Sequence, residues 1–392
     1  MKDVFYLAWR YLRYNRIKTA VLVASISLIL FLPAAMQMLV REAARVLTAR
    51  ADATPLLVGA RGSGVDLTLA ALYFREPSLP PMLYREVERI QKTGIAAAIP
   101  LNLRYTAGGQ RIVGTTPEYF DFRGLRIESG RGLALLGECV LGSRAAETLG
   151  AGPGDDVLST PAGAFDVGGS FPLKMKVVGV LAPAGTPDDG AVFADVKTTW
   201  VIAGIAHGHT DVTAPSASSG VLSRGEGNVV ANASVLPYTE ITPENIDSFH
   251  FHGDRDGFPV DAAIVVPPDR KSGIVLRGRY EEDPGDVQIL VPRTVVDELV
   301  DTMFSVRDAV FLVTVGLGVA TLATAALVFA LSIRLRRREI ETMRKIGAPR
   351  ARLAAVLATE VLLVLLASFA IAAGLTAIVS RFGGVMLGMV AE

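Results

Sequence analysis

The sequence predicts a membrane protein: α-helical transmembrane spans with a large α+β extracytoplasmic domain inserted between the first and second spans. Three observations carry this expectation. Of the 392 residues 51% are hydrophobic, and the long uncharged or nearly uncharged runs lie toward the two ends of the chain. Basic residues gather on one side of those runs, as they do on the cytoplasmic side of a bilayer. The long middle section has the mixed composition of a water-soluble domain.

The first element is residues 1–19, an amphipathic helix expected at the membrane interface. Phe5, Tyr6, Trp9, Tyr11 and Tyr14 are interleaved there with Lys2, Arg10, Arg13, Arg16 and Lys18, which suits a helix lying among lipid headgroups. A plain cytoplasmic tail reads the same charges without the aromatics. Residues 20–40, AVLVASISLILFLPAAMQMLV, carry no charge and are long enough to cross a hydrocarbon core of about 30 Å at ~1.5 Å per residue. This is the first span. It exceeds the ~7–15-residue core of a cleaved signal peptide, and no convincing small-x-small cleavage site follows it. Pro33 within it is tolerable in a membrane helix and predicts a kink.

The second span is residues 309–333 and the third 354–379, interrupted only by Glu360. The connection between them, 334–353, contains Arg334, Arg336, Arg337, Arg338, Arg344, Lys345, Arg350 and Arg352 against Glu339 and Glu341. It therefore faces the cytoplasm, as does the basic amino end, and residues 41–308 lie outside. The closing stretch, 380–392, is a tail too short in its apolar part to span.

The external section is large enough for a core of its own. Short β-prone stretches (111–114, 138–142, 175–183 and 263–267) are separated by Gly, Pro and Asp, and 80–94 reads as a helix. Residues 204–259, rich in Gly, Ser, Asn and His, read as a loop-rich insertion. Val295, Val296, Leu299, Val300, Met303 and Phe304 form a helical stripe leading into the second span. That makes 292–308 a stalk or a buried helix of the external domain. The single cysteine, Cys139, has no partner within the chain and sits in an apolar string, as a small core residue does.

The stretch REIETMRKIGAPRARL (338–353), followed by an apolar helix with an early glutamate, resembles the cytoplasmic loop of MacB/FtsX/LolC-type ABC transporter permeases. IVGTTPEYFDFRGLRIESGRGL (112–133), CVLGSRAAETLGAGPGD (139–155) and VVGVLAPAGTPDDGAVF (177–193) resemble, in the same order, the MacB-like periplasmic core. The resemblance implies that Glu339, Ile340, Met343, Arg344, Ile346, Gly347 and Ala348 form the element that docks into a separate ABC ATPase. A positive-inside anchor explains the charge of this loop, but not the uncharged residues interleaved at helical spacing. Two ATPase copies, a second copy of the permease and the bacterial inner membrane are further implications. The resemblance also implies that ATP-driven closure does conformational work on the external domain. The family has four spans, so a fourth is expected to be absent here or truncated, with the carboxyl end outside.

All four histidines fall in the insertion as two H-x-H pairs, His207/His209 and His250/His252. On a strand, residues i and i+2 share a face, so each pair can converge on one ion. Two pairs can supply the four nitrogens of a tetrahedral site, and imidazole suits Zn²⁺, Cu²⁺ or Ni²⁺. Zinc is the candidate cofactor or cargo ion, with Asp211, Asp254 and Asp256 nearby as further ligands or partners of the ligands. Inert loop histidines or a pH sensor are the competing readings.

No GxxxxGK[ST] phosphate loop, HExxH or GxSxG motif occurs, so the chain is not expected to be an enzyme and energy must come from a partner. The formal net charge is zero, and no nucleic-acid partner is expected. Two alternatives stay open: an FtsX-like regulator whose external domain holds a periplasmic partner protein, a cell-wall hydrolase, and a membrane-tethered metal-binding module.

Overall fold

The computed structural model describes residues 2–160, 172–208, 221–225, 228–231, 238–282, 285–335, 337–347 and 349–390. It divides into two compact units, Met1–Thr48 with Glu298–Glu392, and Ala49–Asp297.

The first unit is helical. Helix α1 (Lys2–Tyr14) is separated by a turn at Asn15 from α2 (Arg16–Asp52), whose last residues belong to the second unit. The helices of the external unit are α3 (Gly64–Tyr73), α4 (Arg85–Lys92), α5 (Glu118–Arg123), α6 (Ser143–Leu149), α7 (Val196–Ile202) and α8 (Arg270–Glu282). Helix α9 (Pro292–Leu335) leads back into the first unit, followed by α10 (Arg337–Lys345) and α11 (Arg350–Val390). Among the described residues three helices, α2, α9 and α11, are long and apolar enough to cross a membrane. Leu312, Val313, Leu322, Leu327 and Phe369 are exposed along them, a surface that hydrocarbon can cover and water cannot.

Small residues let these helices approach. The Ser27 hydroxyl donates to the Ser368 carbonyl at 3.1 Å, and the Ser368 hydroxyl lies 3.3 Å from the Val23 carbonyl. A Cβ on Gly318 would sit 3.4 Å from Ile29. Both are contacts of the small-residue kind that holds membrane helices together. Helix α1 packs on α11, and Ala8 is completely buried, so one side of α1 has a protein neighbour.

The helix ends differ from the sequence expectation. Helix α2 begins before residue 20 and runs on to Asp52, and α11 continues through the stretch read as a tail to Val390. Hydropathy marks the part of a helix that lipid covers and carries no signal for where the helix stops. Residues 292–308 form the first turns of α9, with Val296 and Val300 of the expected stripe buried.

The external unit holds two sheets. One is antiparallel, in the order β17 (Val287–Leu290), β1 (Leu56–Ala60), β16 (Ala262–Val266), β3 (Ala97–Leu101). Strand β1 is buried at all five positions, as expected of an apolar run covered on both faces. The other sheet is mixed, in the order β4 (Thr106–Ala107), β5 (Gln110–Thr115), β10 (Ala191–Asp195), β7 (Glu138–Leu141), β9 (Lys174–Leu181), β6 (Ile127–Gly130), with β8 (Asp156–Leu158) also on β9. Strands β5 and β10 are parallel, as are β7 and β9. Cys139 is fully buried in this sheet.

Three two-stranded ribbons complete the unit: β2 (Met82–Leu83) with β15 (Pro259–Val260), β11 (Ala206–Gly208) with β14 (Phe249–Phe251), and β12 (Val221–Gly225) with β13 (Asn228–Ala231). Among the described residues two apolar cores result. One gathers Leu56, Val58, Ile90, Trp200, Phe258 and Val265, the other Ile112, Cys139, Leu141, Met175, Val177 and Val192. The segment read as a loop-rich insertion thus contains strands. Runs of three residues are too short for alternation to register as a period.

Candidate functional site

Three of the four histidines, His207, His250 and His252, meet on the ribbon of β11 and β14. Antiparallel register sets His207 opposite His250 and Ala206 opposite Phe251. Because side chains alternate across a strand, Ala206 and Phe251 share one face and the histidines the other. The inner face is anchored: Ala206 is fully buried, and the Phe251 ring packs edge-on against Trp200 at 6.3 Å and stacks on Phe258 at 5.9 Å. The backbone N–H of His252 donates to the Ile205 carbonyl at 3.0 Å, extending the pairing by one residue.

On the outer face the ring centroids of His207 and His250 are 5.0 Å apart, those of His207 and His252 4.7 Å, and those of His250 and His252 4.8 Å. One ring nitrogen from each lies within 4.8 Å of the others. The Nδ1 of His250 is 3.1 Å from the Ser248 carbonyl. A carbonyl only accepts, so this contact suits the neutral tautomer with its proton on Nδ1 and its lone pair on Nε2. Of the other residues expected here, His209 and Asp211 fall outside the described residues. Asp254 is not part of the cluster; its carboxylate caps the short turn Arg255–Gly257 by accepting from the Asp256 N–H at 3.3 Å. Asp256 follows it in that turn.

The connection between α9 and α11 places Ile340, Met343 and Arg344 on α10, with Ile346 and Gly347 in the turn that ends it. The Ile346 N–H donates to Thr342 and the Gly347 N–H to Arg344, each at 3.0 Å. Gly347 has φ of +99°, a conformation that costs a side-chain-bearing residue about 1 kcal/mol or more. Ile346 is 82% exposed and Met343 38%. Glu339 is also on α10; its side chain and Ala348 fall outside the described residues.

A third arrangement was not expected from sequence. Arg50, in the last turn of α2, is buried and makes a two-pronged ion pair with Asp188, at 2.6 Å and 3.0 Å. It also donates to the Tyr119 hydroxyl at 3.0 Å and to the Leu72 carbonyl, and its guanidinium lies 5.5 Å from the Phe74 ring centroid. Tyr119 passes the chain on by donating to Asp188 at 2.6 Å, and Thr186 donates at 2.7 Å. Burial alone pushes the Asp188 carboxyl up, but the adjoining Arg50 charge and these hydrogen bonds hold it below the usual carboxylate range. The partners of Arg50 stand 69 and 138 residues away in sequence, so no local spacing betrays them.

Known proteins provide an independent comparison. Residues 19–229 match the family model of the MacB-like periplasmic core domain, and residues 310–388 that of the FtsX-like permease C-terminal region. Among solved structures, the chain is similar to the periplasmic region of MacB from Actinobacillus actinomycetemcomitans (12% identity, covering 64% of this chain and 97% of that one, TM-score 0.37). It is also similar to the extracellular domain of the noncanonic ABC-type transporter YknZ from Gram-positive bacteria (9% identity, 60% of this chain and 98% of that one, TM-score 0.33). A search of curated proteins finds no match. With the core-domain model covering more than half of its length and the permease model matching residues 310–388 toward its carboxyl end, the chain belongs to the MacB/FtsX-type ABC transporter permease family.

Proposed function

We propose that this chain is the mechanical half of an ABC transporter: ATP hydrolysis in a separate ATPase subunit moves its external domain through the membrane helices. Two permease copies and two ATPase copies make the working assembly. The observation that carries the reading is the end of α10, where Met343 and Ile346 expose apolar surface beside Arg344 and the positive-φ turn at Gly347. An isoleucine 82% exposed to water in a strongly basic loop is an unfavourable surface group until a partner covers it. Glu339, Ile340 and Ala348 complete the docking element in this proposal.

Arg50 supports the output end. The unit boundaries fall inside α2 and α9, so both connections are helical. The last turn of α2 is tied into the external unit by a buried ion pair instead of by a surface contact. A displacement of that turn therefore acts on Asp188 and on the sheet behind it. The test is reconstitution with the ATPase subunit. Met343→Glu with Ile346→Glu is expected to abolish co-purification of the ATPase and its stimulation; retention of both would defeat the assignment of this loop.

A further inference from the structure

We propose that His207, His250 and His252 form a binding site for one late first-row divalent metal ion, with Zn²⁺ the best fit, on the exposed face of the β11–β14 ribbon. The site stands on the histidine geometry and does not depend on the transport reading.

Register does the first part of the work. His207 and His250 are directly opposed across the ribbon, and His252 lies two residues beyond His250, just past the end of β14, where its N–H still pairs with the Ile205 carbonyl, so the three rings converge at one end of the ribbon. The opposite face is held by Ala206 and Phe251 in the apolar cores, which fixes the backbone from which the imidazoles project. The donor nitrogens lie within 4.8 Å of one another. Tetrahedral Zn²⁺ with bonds of about 2.0–2.1 Å requires donors about 3.3–3.4 Å apart. Side-chain rotation closes a difference of up to about 1.5 Å without moving either strand. The contact of His250 Nδ1 with the Ser248 carbonyl orients that ring, the usual way a ligating histidine is held from behind.

The donor set selects the ion. Three neutral imidazoles favour Zn²⁺, Cu²⁺ or Ni²⁺ and disfavour Mg²⁺ and Ca²⁺, which require oxygen ligands. Three protein ligands leave one tetrahedral position for water or an external ligand. The ion is therefore exchangeable and can arrive or leave with a small chelating ligand. It also bridges β11 to β14. The two apolar cores share Phe251 of this ribbon, so occupancy stiffens the seam between them.

The test uses the full chain in lipid nanodiscs, purified through a histidine-free tag and stripped with chelator. Zn²⁺ is titrated calorimetrically, and Co²⁺ is titrated by its visible absorption, which is intense in tetrahedral coordination and weak in octahedral. The expected result is one ion per chain, intense Co²⁺ bands displaced by Zn²⁺, no competition by excess Mg²⁺, and affinity reduced at least a hundredfold in His250→Ala/His252→Ala. The single variant His207→Ala, on the other strand, is expected to lose at least tenfold. Metal-free thermal melts unchanged in the variants will separate loss of ligands from loss of fold. Absence of saturable Zn²⁺ binding to the parent chain, or equal binding by the variants, overturns the proposal and leaves three packed aromatic rings.

Discussion

Replacing Arg50 by alanine removes the guanidinium that forms an ion pair with Asp188. Asp188 is 1% exposed, and after the substitution it keeps only the Tyr119 and Thr186 hydroxyls as side-chain donors. Stranding one partner of a buried ion pair costs about 3–5 kcal/mol, a large part of the roughly 5–15 kcal/mol that stabilises a typical domain. At about 2–4 °C per kcal/mol for a unit of this size, the melting temperature falls by roughly 10 °C. Trp200, 1% exposed in the external core, reports the transition by fluorescence in a Trp9→Phe background.

The pH dependence carries a sign. In the parent chain Asp188 is held below its unfolded pKa of about 3.9. Its contribution is thus present above that value and lost as pH falls through the depressed native value. In Arg50→Ala burial dominates and raises the carboxyl above its unfolded value, so the deficit is full near neutrality and shrinks as pH falls through the raised value. The double variant Arg50→Met/Asp188→Leu, which strands no charge, is expected to recover most of the lost stability. A loss below about 1 kcal/mol in Arg50→Ala, or a double variant no better than the single, refutes the reasoning.

Other outcomes follow from the same structure. A Cβ on Gly142 would lie 2.2 Å from the Asp188 carbonyl oxygen and 2.5 Å from that of Asp189; Gly142→Ala is expected to cost about 1–3 kcal/mol by overpacking, read by the Trp200 melt. Burial pushes the Cys139 thiol up to about 12, so at pH 8 a maleimide should label it only as the external unit opens, at a rate that rises with denaturant. Gly347→Val places a β-branched residue at φ of +99° and is expected to lower ATPase stimulation several-fold while leaving the Trp200 melt unchanged. Glu138 accepts from the Ala134 and Leu135 N–H groups at 2.9 Å and 3.0 Å and pairs with Arg131; Glu138→Ala is expected to cost about 1.5–3 kcal/mol in the same melt.

The membrane helices were legible because hydrocarbon imposes long uncharged runs, and the core strands because Gly, Pro and Asp isolate short β-branched stretches such as 111–114 and 263–267. The histidine cluster was legible in part. A period of two puts His250 and His252 on one face, but nothing local pairs β14 with β11, and the opposition of His207 to His250 comes from the fold. The Arg50–Asp188–Tyr119 network was not legible at all. An arginine at the end of an apolar helix looks like an interfacial charge until two distant segments close over it. The turn at Gly347 lies between: its glycine marks a helix stop by ordinary chemistry, and only the family resemblance gave it a task.

The most direct test of ATP-driven movement in the external domain is a distance measurement. Cys139 is buried, so a cysteine introduced at exposed Lys271 on α8 can carry a spin label selectively, and in the proposed assembly of two permease copies pulsed dipolar spectroscopy then reports the separation of the two labels. ATP-driven movement requires a different distance distribution with trapped ATP than without nucleotide, and no difference in Met343→Glu/Ile346→Glu. The same distribution in both nucleotide states of an assembly with active, stimulated ATPase would contradict it.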